Sequence, residues 1–332
     1  MKKMILALAI FFQCFAQSLH AQHSTSHNPV IEGWYADPEG VIFGNKYWIF
    51  PTYSSKYENQ IFLDAFASKD MVTWEKYHKI IDTSIIKWAH MAIWAPAIVN
   101  KDNKYFLFFS ANDIQSKERN GLKDDTLGGI GIAVADHPEG PYKDYLGKPL
   151  INKFYNNAQP IDQYVFLDKD GQYYIIYGGW GRCNIGKLNK DFSALEKFEN
   201  GQLVKEITPK DYVEGPTMFI RKDKYYLMWS EGGWTNGTYK VSYAISDNVM
   251  GPFEKINTIL EADSTVATGA GHHSVINIPN TDEWYIVYHR RPIPNLGRDH
   301  RVTCIDKLCF NEDGTIKKVK MTFEGVKREI NK

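Results

Sequence analysis

The chain is poor in cysteine: four in 332 residues, with no CxxC pair. Such a sparse set builds no disulfide framework and no cysteine zinc site. Cys14 lies in the N-terminal segment. Cys183, Cys304 and Cys309 are read as small buried hydrophobes. Net charge is also missing, since 39 Lys and Arg balance 39 Asp and Glu. No broad basic field for nucleic acid and no acidic tail result. Beyond the N-terminus no apolar run is long enough to cross a membrane. No long amphipathic pattern of helical period appears either.

The one apolar run, in MKKMILALAIFFQCFAQSLHAQ, follows two lysines and ends near the small residue Ala21. That is the layout of a secretory signal peptide, so residues 1–21 are set apart from the fold and the protein is expected in the periplasm or outside the cell. Phe12 and Gln13 make Cys14 a poor lipoprotein processing site.

Aromatic residues are abundant, at 14%, and they recur in a pattern. Five segments carry a polar pair, an aromatic pair and then apolar residues. They are GNKYWIF (Gly44–Phe50), DNKYFLFF (Asp102–Phe109), DGQYYIIY (Asp170–Tyr177), KDKYYLMW (Lys222–Trp229) and TDEWYIVY (Thr281–Tyr288). Each polar pair suits a hairpin turn, and each following run suits a strand. Another apolar run precedes each turn and a third strand follows. The spacing of Tyr47, Tyr105, Tyr173, Tyr225 and Trp284 is that of propeller blades. The sequence therefore predicts an all-β fold, a single five-bladed β-propeller over residues 22–332.

In a propeller the strand before each anchor aromatic is innermost, and its start faces the central channel. Counting back places Asp37, Asp162 and Glu214 at corresponding positions in blades one, three and four. Trp94-Ala95-Pro96 stands there in blade two, and His272-His273 in blade five. Three like charges converging in a half-dry channel are costly without a use. Paired carboxylates at a sugar-sized spacing are the equipment of glycoside hydrolysis, one protonated and one ionised.

At these residues the sequence resembles glycoside hydrolase family 43. The markers are ADP at Ala36–Pro38, WAP at Trp94–Pro96, PID at Pro160–Asp162, EGP at Glu214–Pro216, GHHS at Gly271–Ser274 and YHRR at Tyr288–Arg291. The resemblance implies an inverting hydrolase of oligosaccharides or polysaccharides with no cofactor in the chemistry. Asp37 would be the general base, Glu214 the general acid, and Asp162 the group that orients the acid and keeps its pKa raised. It also implies a histidine at the place of His272 helping to hold a calcium ion on the axis, largely through waters. The alternative is a neutral His272 bonded to backbone or to Asp162.

Trp34 and Trp94 are expected to wall the pocket and Trp180 and Trp234 to stand at its rim. Of the two adjacent arginines, Arg290 is expected to reach the sugar rather than Arg291. The loops Ser110–Gly129 and Arg290–Arg301 are expected to shape specificity. No appended domain follows the fifth unit, which favours an exo-acting α-L-arabinofuranosidase. A β-xylosidase or xylan-degrading enzyme and a galactofuranosidase are the alternatives within the family. A non-catalytic sugar-binding propeller, a protein-interaction propeller and a phosphorylase using Arg290, Arg291, Arg298 and Arg301 compete from outside that class.

Overall fold

The computed structural model describes residues 23–25, 27–115 and 128–329. The proposed leader and Cys14 lie outside these residues, as do residues 116–127 of the first specificity loop. No helix among the described residues is long and apolar enough to cross a membrane.

Five antiparallel sheets follow one another along the chain as a five-bladed β-propeller. Blade I pairs Tyr35–Phe43, Lys46–Tyr53, Phe62–Ser68 and Glu75–Asp82 in that order. Blade II pairs Trp94–Lys101, Lys104–Ala111, Gly129–Ala135 and Lys143–Asp144. Blade III pairs Tyr164–Leu167, Tyr173–Tyr177, Asn184–Leu188 and Leu195–Glu196, with Val204–Glu206 also on Asn184–Leu188. Blade IV pairs Glu214–Arg221, Lys224–Glu231, Lys240–Ser246 and Lys255–Leu260. Blade V has three strands, Ala267–Asn277, Trp284–Pro292 and Val302–Leu308.

The polar pairs are indeed turns. Asp102 and Asn103 have φ of 52° and 60°, and Lys222 and Asp223 have 48° and 62°. Two left-handed residues in a two-residue loop match the right-handed twist of the strands they join. The aromatic pairs have a different explanation. Adjacent strand residues point to opposite faces, and in a propeller each face meets a different neighbouring blade. Tyr47 and Ile49 join the cluster between blades V and I, with Ile276 and Val287. Trp48 and Phe50 join the cluster between blades I and II, with Trp88 and Phe109. Tyr225 and Tyr226 divide in the same way between the III–IV and IV–V clusters. A further cluster around Phe106, Phe108 and Tyr177 fills the II–III junction. Every junction of the ring is apolar, which is why the second strands read as unbroken hydrophobic runs.

The ring closes between blades V and I. The backbone N–H of Val30 donates to Thr303 O (3.0 Å), and that of Asn28 to Phe323 O (2.7 Å). One sequence expectation fails here: Cys183 and Cys304 are buried but Cys309 is exposed. Cys309 follows the end of Val302–Leu308, where the chain has left the sheet.

Candidate active site

Towards the cavity end of every inner strand a residue takes a left-handed backbone: Asp37 (φ 49°), Ala95 (45°), Asp162 (56°, two residues ahead of its strand), Gly215 (62°) and His272 (33°), with Gly269 (55°) a second one in blade V. Pairing register shifts beside four of them, between Ala36 and Glu39, Trp94 and Ala97, Glu214 and Thr217, and Gly271 and His273. Each shift is a bulge that twists the strand and re-aims a side chain. The bulge corrects the counting from sequence. Asp37 and Asp162 occupy the left-handed place, which Gly215 holds in blade IV. Glu214 stands one residue earlier, level with Ala36, Trp94, Ile161 and Gly271. The two positions still converge. Asp37, Trp94, Ile161, Asp162, Glu214 and His272 line one cavity of about 410 Å³, with Tyr57, Gln60, Trp234 and Arg301 completing it.

The three carboxylates are unlike electrostatically. Burial alone would raise the pKa of Asp37, but the Arg301 guanidinium, His272 and His289 more than offset it. Arg301 Nη1 lies 3.1 Å from Asp37 Oδ1, His289 Nδ1 3.2 Å and His272 Nδ1 3.4 Å. Asp37 is therefore held well below the usual carboxylate range. Glu214 goes the other way, pushed up to about 7 by burial and by the charge of Asp37, against a hydrogen bond from Tyr239 and the charge of Arg301. Asp162 is also raised, by burial first and then by Glu214 and Asp37. Burial lowers the pKa of His272, against the charge of Asp37. The site thus holds one ionised carboxylate beside two that resist ionisation, the division of labour that acid–base chemistry on one bond requires.

Trp94 lines the cavity; its Nε1–H donates to Gln60 Oε1 (2.5 Å) and its ring meets Tyr57 edge-on at 4.8 Å. Trp234 lines it too, with the Arg301 and Arg298 guanidinium carbons 5.0 and 5.3 Å from its ring centroid. Trp34 is not among the lining residues: it is 36% exposed and stacks on His300 at 4.3 Å. Trp180 does not line the cavity either. It is 45% exposed and stacked on Phe154, yet the N–H of its neighbour Gly181 donates to Val213 O, next to Glu214.

Arg290 is turned away from the cavity. Its Nη1 donates to Thr322 O (2.8 Å) and its guanidinium lies against Phe323. Arg291 is buried and ties loops together, donating to Gly297 O (3.0 Å) and Trp234 O (2.6 Å). The arginine that reaches the carboxylates is Arg301, at the far end of the same loop. From sequence, none of Tyr57, Gln60, Tyr239 and His289 is singled out as a site residue, and Arg301 only as part of a phosphate-binding alternative. His289 stands inside the YHRR marker and Arg301 inside the basic loop, so those two had a signal. Tyr57 and Gln60 come from a short turn after the second strand of blade I and had none.

His272 Nδ1 faces Asp37 Oδ1 and also Asp162 Oδ2 (3.5 Å). Among the described residues no group of three or more His, Cys, Asp or Glu side chains could hold a metal ion. One imidazole does not supply the oxygen shell that calcium takes.

The family model for glycosyl hydrolases family 43 matches residues 26–316. A β-D-galactofuranosidase of Aspergillus niger is 42% identical over 90% of this chain and 86% of its own length. An arabinoxylan arabinofuranohydrolase of Bacillus subtilis is 27% identical over 94% of this chain and 67% of its own. Among solved structures, a thermostable family-43 glycoside hydrolase superposes with a TM-score of 0.74 at 23% identity, covering 91% of this chain and 98% of that one. The blades, the carboxylate-lined cavity and these likenesses agree: the chain belongs to glycosyl hydrolase family 43 and is a glycoside hydrolase.

Proposed function

We propose that the protein is an exported, exo-acting, inverting furanosidase. It removes a terminal α-L-arabinofuranosyl or β-D-galactofuranosyl unit from an oligosaccharide or polysaccharide. The observation that carries this reading is the cavity with Asp37, Asp162 and Glu214 at its wall. The rings of Tyr57, Trp94 and Trp234 stand around the carboxylates there, an arrangement suited to holding a terminal sugar ring. The two furanosides share ring stereochemistry and differ in the exocyclic carbon chain, so one pocket can admit both. The Aspergillus relative supports the galactofuranoside and the Bacillus relative the arabinofuranoside.

In this mechanism Asp37, ionised beside Arg301, takes a proton from a water. The water oxygen bonds to the anomeric carbon from the face opposite the leaving group. The carbon–oxygen bond to the aglycone breaks as Glu214 gives its proton to that oxygen. Burial and the charge of Asp37 keep Glu214 protonated until then, with Asp162 as the third carboxyl beside the pair. Trp94, Trp234 and Tyr57 wall the sugar. The chemistry is carried by side chains alone, and no step passes through an ion at His272.

The test is a panel of 4-nitrophenyl α-L-arabinofuranoside, β-D-galactofuranoside and β-D-xyloside, with proton NMR of the first-formed anomer. Furanosides cleaved with inversion are expected, independent of added phosphate. Glu214→Gln should lose about 10²- to 10⁴-fold in kcat on unactivated glycosides while still binding sugar. Preference for the xyloside would shift the reading to a β-xylosidase, which a relative from Xylanibacter ruminicola makes the second candidate. Full activity in Glu214→Gln would end the acid assignment. Export is tested separately, by the N-terminal sequence of the mature protein, expected to begin at Gln22.

A further inference from the structure

Glu214 has two carboxyl oxygens, and only the one aimed at the leaving group is useful as an acid. The Tyr239 hydroxyl donates to Glu214 Oε1 at 2.9 Å. The tyrosine ring has no room to turn. It is buried and stacks on His289 with centroids 5.5 Å apart and planes 10° apart. The chain also runs past the ring at Gly271, where a Cβ would come within 2.3 Å of it. The hydroxyl has a single hydrogen, and it is spent on Glu214.

We infer that Tyr239 is a positioning residue that occupies Oε1 of Glu214 and so confines the acid's proton to Oε2. A carboxylic acid whose Oε1 always accepts carries its proton on the other oxygen. The tyrosine thereby converts a group with two equivalent proton sites into a directed donor. The inference rests on Glu214 as the acid and adds what aims it. Two features of the sequence acquire a reason. Gly271 leaves space for the ring, and His289 stacks on it.

The groups facing Glu214 are Asp162 and Asp37, Arg301, Tyr212 and Tyr239. Of these, the Tyr239 hydrogen bond favours the ionised form, so its removal raises the pKa of Glu214. Tyr239→Phe deletes one oxygen and keeps the ring stack. Assayed on a methyl furanoside, whose leaving group needs the proton, it is expected to lose roughly tenfold or more in kcat, the lower part of a general acid's contribution. On the 4-nitrophenyl furanoside, whose leaving group needs little help, the loss should be much smaller. The basic limb of the pH–rate profile should move to higher pH. Gly271→Ala, whose methyl would push the ring and its hydroxyl aside, should show the same leaving-group pattern, and it serves as the readout if Tyr239→Phe folds poorly. Equal losses on both substrates with an unmoved basic limb would overturn the inference and leave Tyr239 a packing residue. If Glu214→Gln keeps its activity on the methyl furanoside, the acid assignment itself has failed, a different outcome.

Discussion

With Nη1 3.1 Å from Asp37 Oδ1 and Nε donating to Ser54 Oγ at 3.0 Å, Arg301 is fixed at both ends of its guanidinium. It is the first-ranked attraction holding Asp37 ionised against burial. Arg301→Gln should therefore raise the pKa of Asp37 and move the acidic limb of kcat/KM to higher pH. At neutral pH the loss should be roughly a hundredfold, as for other preorganised charge partners. The same pair contributes to stability with a defined sign. The pKa of Asp37 is lower folded than unfolded, so its contribution is complete above the ordinary carboxylate range. It is lost as pH falls towards the folded value. An acidic limb that stays in place in Arg301→Gln would show that His272 and His289 suffice. The acids at this scale were legible because three carboxylates repeat at nearly one place in a unit. Arg301 was not, because its reach depends on the path of the 293–301 loop, and alternation along a strand says nothing about a residue that has left it. Arg290, still on the strand Trp284–Pro292, follows that alternation but ends under Thr322 and Phe323.

At the scale of the strand, the device that makes the site is the bulge. Of the five left-handed residues at matching places, Asp37, Ala95, Asp162, Gly215 and His272, one is glycine. Left-handed backbone costs an L-residue roughly 1–2 kcal/mol, so the cavity is built on strain that the blade junctions hold in place. Gly215 is the glycine because space is short: a Cβ there would meet His272 Cγ and Ser230 Oγ at 3.2 Å. Gly215→Ala should lose about 1–2 kcal/mol in urea unfolding. It should also cut activity, since Glu214 precedes it and both displaced groups contact the site. Ala95→Gly, at the matching place in blade II, should be close to neutral because relief of strain offsets the entropy of glycine. Equal stability in both variants would mean the bulge carries no strain. The repeating hairpins were readable from turn residues and aromatic pairs, which are local signals. The bulge was not, since an inserted residue shifts register by one without changing composition. That is why Glu214 was placed level with Asp37 and Asp162.

For the whole molecule, a propeller must join its last blade to its first, and here the chain does so twice. The apolar cluster at the V–I junction, with Ile49, Tyr285, Val287 and Ile305, is one means. The other is polar and rests largely on Asn28. Its Nδ2 donates to Ile305 O at 3.0 Å, to Thr322 O at 3.1 Å and to Asp306 Oδ2 at 3.3 Å. Its Oδ1 accepts the N–H of Ile305 at 2.9 Å. One buried amide thus links the segment before blade I, the third strand of blade V and the C-terminal segment. Asn28→Ala would leave the buried N–H of Ile305 without its side-chain acceptor and remove one of the donors to Asp306, which keeps Tyr288 and Thr322. The expected loss is about 2–3 kcal/mol of unfolding free energy, read as a lower urea midpoint. Activity per folded molecule should be unchanged, because Asn28 touches none of the cavity residues. An unchanged midpoint would assign ring closure to the apolar junction alone. A loss of activity at full stability would mean that tension at the closure is felt at Asp37, on the first strand after it.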